Sequence, residues 1–284
     1  MRVIQANKIT KVVADLAIQA NQALRKDVLR ALKAAYKKET NKRAKVILDA
    51  IIKNAYIARR EKLAICQDTG LAVVFAEIGQ DVHISGGFLI KAINEGIELG
   101  YRQGYLRDSI VRDPLLRGKP GFTPAVIHTG ITKGRKVKLT VLPKGFGCEN
   151  KSQVKMFKPT ASVSEIKKFI IDVVKNAGPD ACPPFVIGVG IGATQDHACL
   201  LAKKTLLKNT VHSPCLSGRQ AGTVRRLEKE LLKEINRLNI GPMGLGGKTT
   251  ALAVKIKTYP THIAGLPVAV NISCHALRSA TKII

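Results

Sequence analysis

Apolar residues recur at three- and four-residue spacings from residue 8 to about 60, in the sets Val12, Val13, Leu16 and Ala17, then Leu24, Val28 and Leu32, then Val46, Ile47, Ala50 and Ile51. That period predicts amphipathic helices, with Thr40 and Asn41 as a break or cap between them. The pattern then changes: LAVVFAEIG and DVHISG are short, β-rich and bounded by glycine, and predict strands, whereas FLIKAINEGIELGYRQGYL returns to helical spacing. A proline and glycine loop from Asp113 to Pro124 precedes AVIHTGI and KVKLTVLP, which predict paired strands. Further on, helices are expected over 163–177, 194–208 and 219–238, a buried strand in PFVIGVGIG, and strands in ALAVKIKTY and LPVAVNIS around THIAG. No run is long enough for an interdomain linker. The expectation is an α/β chain of the α+β kind in one domain, 1–284, whose residues 1–62 form a helical lobe ahead of a mixed region with a small sheet.

Composition narrows the class. With 284 residues, 45% hydrophobic and 24% charged, the chain can bury a substantial core. No apolar stretch reaches the length of a membrane span, and the N-terminus lacks the apolar segment of a signal peptide, so a cytoplasmic protein without membrane contact is expected. The outlier is the formal net charge of +27. Such a charge raises a basic nucleic-acid-binding module as one reading. Its distribution argues against it: in residues 1–60 there are 15 Lys and Arg against 4 Asp and Glu, and the excess continues onward without gathering into one arm. Five Tyr, seven Phe and no Trp leave few platforms for stacking bases. The same charge would draw in an acidic subunit or small polyanions.

Two glycine runs imitate nucleotide loops. In GPMGLGGKTT (241–250) a phosphate-binding P-loop would need glycine where Pro242 stands, and proline offers neither a free φ nor an N–H. In GVGIGAT the glycines fall at 188, 190 and 192 where a dinucleotide fingerprint wants 188, 190 and 193, and residue 193 is Ala193. No nucleotide is expected.

The six cysteines lack the density and pairing of a secreted disulfide scaffold. Three of them, in ICQDTG, DACPPF and NISCHALR, sit beside turn residues and polar partners at the edges of predicted elements. Thiolates far apart in sequence can converge on one metal centre, yet buried apolar thiols would fit the spacing as well.

Five ordered motifs, ICQDTG, PKGFGCEN, ACPPFVIGVGIGAT, NIGPMGLGGKTT and HIAGLPVAVNISCHALR, closely resemble the α component of the class I, iron-sulfur-dependent fumarate hydratases and the related tartrate dehydratases. The resemblance covers nearly the whole chain. It implies a 4Fe-4S cluster held by Cys66, Cys182 and Cys274, with one iron left open to substrate as a Lewis acid; Cys148, Cys199 and Cys215 would be ordinary thiols. It also implies Asp68 as acid-base residue, though Asp in D-T-G is as readily a turn cap. His262 would face substrate. Gln67, Arg107, Gly147 and Lys248 would bind or line the site, with Arg112 as rival anchor, and Gly145 and Gly147 would offer backbone N–H groups to carboxylate oxygens. The glycines of 241–247 would permit close backbone approach near the cluster. Phe146, and the segment RGKPGFTPAVIH, which lacks the Asn and Asp common before TPA, depart from the family pattern. The chain ends ten residues after Cys274, where single-chain members continue into a second domain. The resemblance therefore implies a separate β subunit supplying the base and further anchors, a higher oligomer of α and β, and reversible hydration of fumarate to L-malate, with tartrate dehydration as the alternative.

Overall fold

The computed structural model describes residues 1–210 and 219–284; Cys215 lies outside the described residues. The elements in chain order are β1 (Arg2–Gln5), α1 (Ala6–Gln22), α2 (Lys26–Lys38), α3 (Lys42–Glu61), β2 (Leu71–Gly79), β3 (Val82–Ser85), α4 (Leu89–Gln103), β4 (Val126–Thr132), β5 (Val137–Lys144), α5 (Phe146–Glu149), β6 (Gln153–Phe157), α6 (Val163–Ala177), β7 (Phe185–Ile191), α7 (Gln195–Thr205), α8 (Arg219–Asn236), β8 (Ala251–Thr258), β9 (Leu266–Ser273) and β10 (Ala280–Ile283). This is the mixed α/β architecture that the periodicity predicts. No helix among the described residues is long and apolar enough to cross a membrane.

Two compact units divide the chain. The first holds Met1–Arg25, Asn54–Phe146 and Arg278–Ile284, the second Lys26–Lys53 and Gly147–Leu277. The helices expected over 1–62 are present, but they do not form a lobe of their own: α1 belongs to the first unit, α2 to the second, and the division falls within α3. Ile9, Val12, Val13 and Leu16 of α1 bury with Ile93 and Ile97 of α4 and with Val74, Ala76, Leu139 and Val141 of a sheet.

In the first unit that sheet runs β10-β5-β2-β4. The two strands expected to pair, β4 and β5, do not: β2 lies between them, parallel to β4 and antiparallel to β5. β2 and β5 are the two inner strands, both buried along most of their length and both paired on each edge, whereas the mostly exposed β4 takes the edge. A short parallel pair, β1 with β3, stands beside it.

In the second unit the sheet runs β6-β9-β7-β8. Ile166, Ile170 and Val173 of α6 and Leu231 and Ile235 of α8 cover one face, and Ala198 and Ala202 of α7 meet Ala269 on the other. Helix α6 opens with a capping box in which the Ser162 hydroxyl accepts from the Glu165 amide and Glu165 answers at the Ser162 amide. The outer edge of β8 is guarded by α8, where Glu228 accepts the Ile256 N–H at 2.8 Å. Helix α2 turns its single acid inward, so that buried Asp27 accepts from the amide and hydroxyl of Thr210, while Lys26, Arg30, Lys33, Lys37 and Lys38 stay exposed.

The glycines of GVGIGAT serve packing. A Cβ on Gly190 would stand 2.1 Å from the Ala198 carbonyl oxygen and 2.8 Å from the Ala202 amide nitrogen, so α7 lies on β7 backbone to backbone. Gly190→Ala is expected to cost about 3 kcal/mol, since neither a strand nor a helix backbone can step aside as a side chain would. A fall in the denaturant midpoint at unchanged slope would check it.

Candidate functional site

Candidate residues lie in both units. In the first, Cys66 to Gly70 form the turn between α3 and β2. Its entry is pinned by Ile65, whose N–H donates to the Asn21 carbonyl at 2.9 Å and whose carbonyl accepts from Asn54 Nδ2 at 2.9 Å. Beneath the turn, the Tyr101 hydroxyl of α4 donates toward the carbonyls of Thr69 and Gly70 at 3.1 and 3.0 Å. Burial pushes that hydroxyl up to about 12, so it stays a donor at any working pH. The Thr69 hydroxyl accepts from the Arg107 amide at 3.1 Å, which brings the Arg107 side chain over the turn, where Nη1 donates to Gln67 Oε1 at 2.8 Å.

Asp68 is half-buried, and both of its carboxylate oxygens are held. Oδ1 accepts from the Gly70 amide at 3.0 Å, the turn-cap geometry, and Oδ2 accepts from the Phe146 amide at 2.9 Å. The Phe146 amide, which stands between Gly145 and Gly147, is thus directed at a side chain of the protein. A carboxylate has about four lone-pair sites, so two remain for a proton or a substrate hydroxyl. Arg278 reaches the same turn, with Nη2 donating to the Asp68 carbonyl at 2.7 Å. The rival anchor, Arg112, is exposed on the 105–121 loop.

In the second unit, Cys182 ends a short 3-10 turn, Pro179–Ala181, in the left-handed region (φ 54°) just before β7, and Cys274 follows the last residue of β9. Because β7 and β9 are antiparallel neighbours with Val186 opposite Ser273, the start of one and the end of the other coincide, and the two thiols share one end of the sheet. His275 ties them: its amide and its ring Nδ1 lie 3.4 and 3.1 Å from the Cys182 carbonyl oxygen. Cys66, Cys182 and Cys274 are half-buried, and none of the five described cysteines is in a disulfide. Buried Cys148 donates to the Ala181 carbonyl, and Cys199 is exposed on α7.

The run GPMGLGGKTT packs against this end. The Met243 amide donates to the Pro183 carbonyl at 2.9 Å, and Gly244, at φ +75°, leaves room that a Cβ would take only 2.2 Å from Pro179. Buried Glu39 holds the far side of the run, accepting from the amides of Thr40, Asn41 and Lys248 at 2.9, 3.0 and 2.8 Å. The Lys248 side chain is exposed. Gly147 is exposed in α5, where a Cβ would find the Asp180 carbonyl oxygen 3.8 Å away.

His262 is placed differently. It is exposed in the β8–β9 connection, its Nδ1 accepting from the Ala264 amide at 3.2 Å, and that connection meets the end of β7 through Ala193 and Pro260. This is the opposite end of the sheet from Cys182 and Cys274, about 20 Å away at strand rise. Among the described residues no three His, Cys, Asp or Glu side chains stand close enough to hold a single metal ion. Tyr101, Arg278 and His275 are not singled out by motif reading, although His275 and Arg278 both lie within NISCHALR.

A sequence profile of the family described as Fumarate hydratase (Fumerase) matches residues 10–282. A Methanocaldococcus jannaschii protein provisionally named L(+)-tartrate dehydratase subunit alpha is 40% identical over 282 residues, covering 97% of either chain. The L(+)-tartrate dehydratase subunit alpha of Escherichia coli K12 is 28% identical over 282 residues, 98% of this chain and 91% of the other, and that of strain O157:H7 is equally similar. The chain belongs to the fumarate hydratase family of hydro-lyases.

Proposed function

We propose that this chain is the α component of a two-component hydro-lyase that reversibly adds water to fumarate to give L-malate, with a 4Fe-4S cluster as cofactor and a β subunit as partner. The observation that carries the reading is the Cys66–Asp68 turn, in which a carboxylate is fixed two residues from a half-buried thiol and a guanidinium is hydrogen-bonded to Gln67, the residue between them. The donor set suits an iron-sulfur group: three half-buried thiols outside any disulfide, soft ligands of the type such clusters take. Cys66, Cys182 and Cys274 would hold it, and when bound it would supply a Lewis-acidic iron that weakens the bond to the substrate hydroxyl.

The chain's own residues would do the rest. Arg107, oriented by Gln67, would pair with a substrate carboxylate in fork geometry. Asp68, with two lone-pair sites left, would exchange the proton of the departing or arriving hydroxyl. Gly147 and Lys248 would line the approach. The base for the neighbouring C–H would come from the β subunit, and His262, at the far end of the sheet, would reach a site only from a neighbouring copy in an assembly of α and β.

A second reading, dehydration of L(+)-tartrate, is favoured by the names of the relatives. Anaerobic co-purification with the β subunit, followed by assays of fumarate, L-malate and L(+)-tartrate, separates the two. Turnover of fumarate and malate is expected. Turnover of tartrate alone would overturn the substrate assignment, and an iron-loaded complex inert to all three would overturn the reading as a whole.

A further inference from the structure

We infer that Arg278 is a positioning residue for Asp68, holding the turn that presents the carboxylate; this rests on Asp68 being the acid-base group proposed above. Arg278 is only 3% exposed, among the most deeply buried charged side chains described. Nη2 donates to the Asp68 carbonyl at 2.7 Å, whereas Nε and Nη1 are buried without a protein partner. A plain structural tie to one carbonyl does not call for a guanidinium. A hydroxyl or amide would serve, without the several kcal/mol that hiding a charge away from water costs. Buried charge that structure alone does not repay is the mark of a functional position.

The surroundings say what Arg278 acts on. A Cβ placed on Gly145 would lie 3.1 Å from Asp68 Oδ2 and 3.9 Å from Arg278 Nη2, so guanidinium and carboxylate flank the same glycine. The next residue, Phe146, donates the amide that fixes Oδ2. The turn is therefore gripped at three levels. Tyr101 holds the carbonyls of Thr69 and Gly70, the amides of Gly70 and Phe146 hold the carboxylate, and Arg278 holds the carbonyl of Asp68 itself. Of these grips only that of Arg278 acts on the backbone of the reacting residue. Losing it would let the peptide between Asp68 and Thr69 rotate and carry the carboxylate off its line of attack. A displacement of the order of 1 Å costs about a hundredfold in rate.

The test uses the α–β complex with Arg278→Ala and Arg278→Lys, compared well below their melting temperatures. For Arg278→Ala, kcat is expected to fall about a hundredfold with KM within about twofold, and millimolar guanidinium, which fits the vacated space, should restore kcat by at least about tenfold. Amide hydrogen exchange at Gly70 and Phe146 should quicken in the same variant, a local change that a general loss of stability does not produce. If Arg278→Ala does not fold, Arg278→Lys, which keeps the charge and most of the bulk but not the fork, should show the kcat loss in smaller measure. Variants that melt lower yet keep parental kcat, or that guanidinium leaves unmoved with exchange at Gly70 and Phe146 unaltered, would overturn the inference. A parental complex inert to every diacid would overturn it together with the proposed function, and an active parent beside equally active variants would overturn the inference alone.

Discussion

Replacing Cys182 with serine is expected to strip iron and sulfide from anaerobically purified protein and to bring turnover below about 1% of the parent, because even groups that merely support a metal ligand are worth 10- to 100-fold. Serine occupies nearly the same space, but its oxygen is hard and stays protonated where a thiol gives a soft anion. Cys66→Ser and Cys274→Ser should behave alike, since a cluster held by the three thiols proposed above would have no ligand to spare. Cys199→Ser, at an exposed position of α7, should leave both iron content and rate unchanged. Iron and sulfide quantification beside the activity assay checks the set. Full iron in the Cys182 variant, or loss of iron from the Cys199 variant, would show that the ligands had been misassigned.

The second large effect is expected at Asp68. In Asp68→Asn the rate should fall about 10²- to 10⁴-fold through loss of general acid-base action. A structural cost comes with it. Both carboxylate oxygens accept a backbone N–H, from Gly70 and from Phe146, so an amide side chain must turn its own donors toward one of them. That opposition should cost about 1–3 kcal/mol of stability. The two consequences separate experimentally, since kcat measured far below the thermal transition reports the chemistry and the melting temperature reports the lost bond. An Asp68→Asn complex that melts lower but turns over at the parental rate would reduce Asp68 to a turn cap.

Much of this was legible in the sequence, and the illegible remainder has physical causes. Helices α1, α4 and α6 announced themselves because each buries one stripe, and that stripe recurs at the helical period. Partner choice among strands did not, since AVIHTGI and KVKLTVLP carry no mark showing that a third strand, 47 residues before β4 begins, will insert between them. In the candidate site, ICQDTG and NISCHALR pointed to the two turns. Tyr101 escaped notice because a buried aromatic with a polar tip reads as core, and Arg278 because it is one of 47 basic residues. His262 illustrates a different limit. It stands twelve residues before Cys274, which suggests nearness, but the eight-residue strand β9 lies between and carries the chain to the opposite end of the sheet.

The outward row of cations on α2 would bear on how the protein meets a dianion of the kind proposed as its substrate. With Asp27 turned inside, α2 presents Lys26, Arg30, Lys33, Lys37 and Lys38 to solvent and carries no exposed carboxylate of its own. In dilute buffer its potential reaches tens of ångströms into solvent, and a small diacid gathers around the whole molecule before it finds any binding group. At about 0.15 M salt the reach shrinks to roughly 8 Å, and what remains is recognition at close range. Apparent affinities taken at low ionic strength would therefore weigh the ion atmosphere of a polycation along with the fit of its substrate.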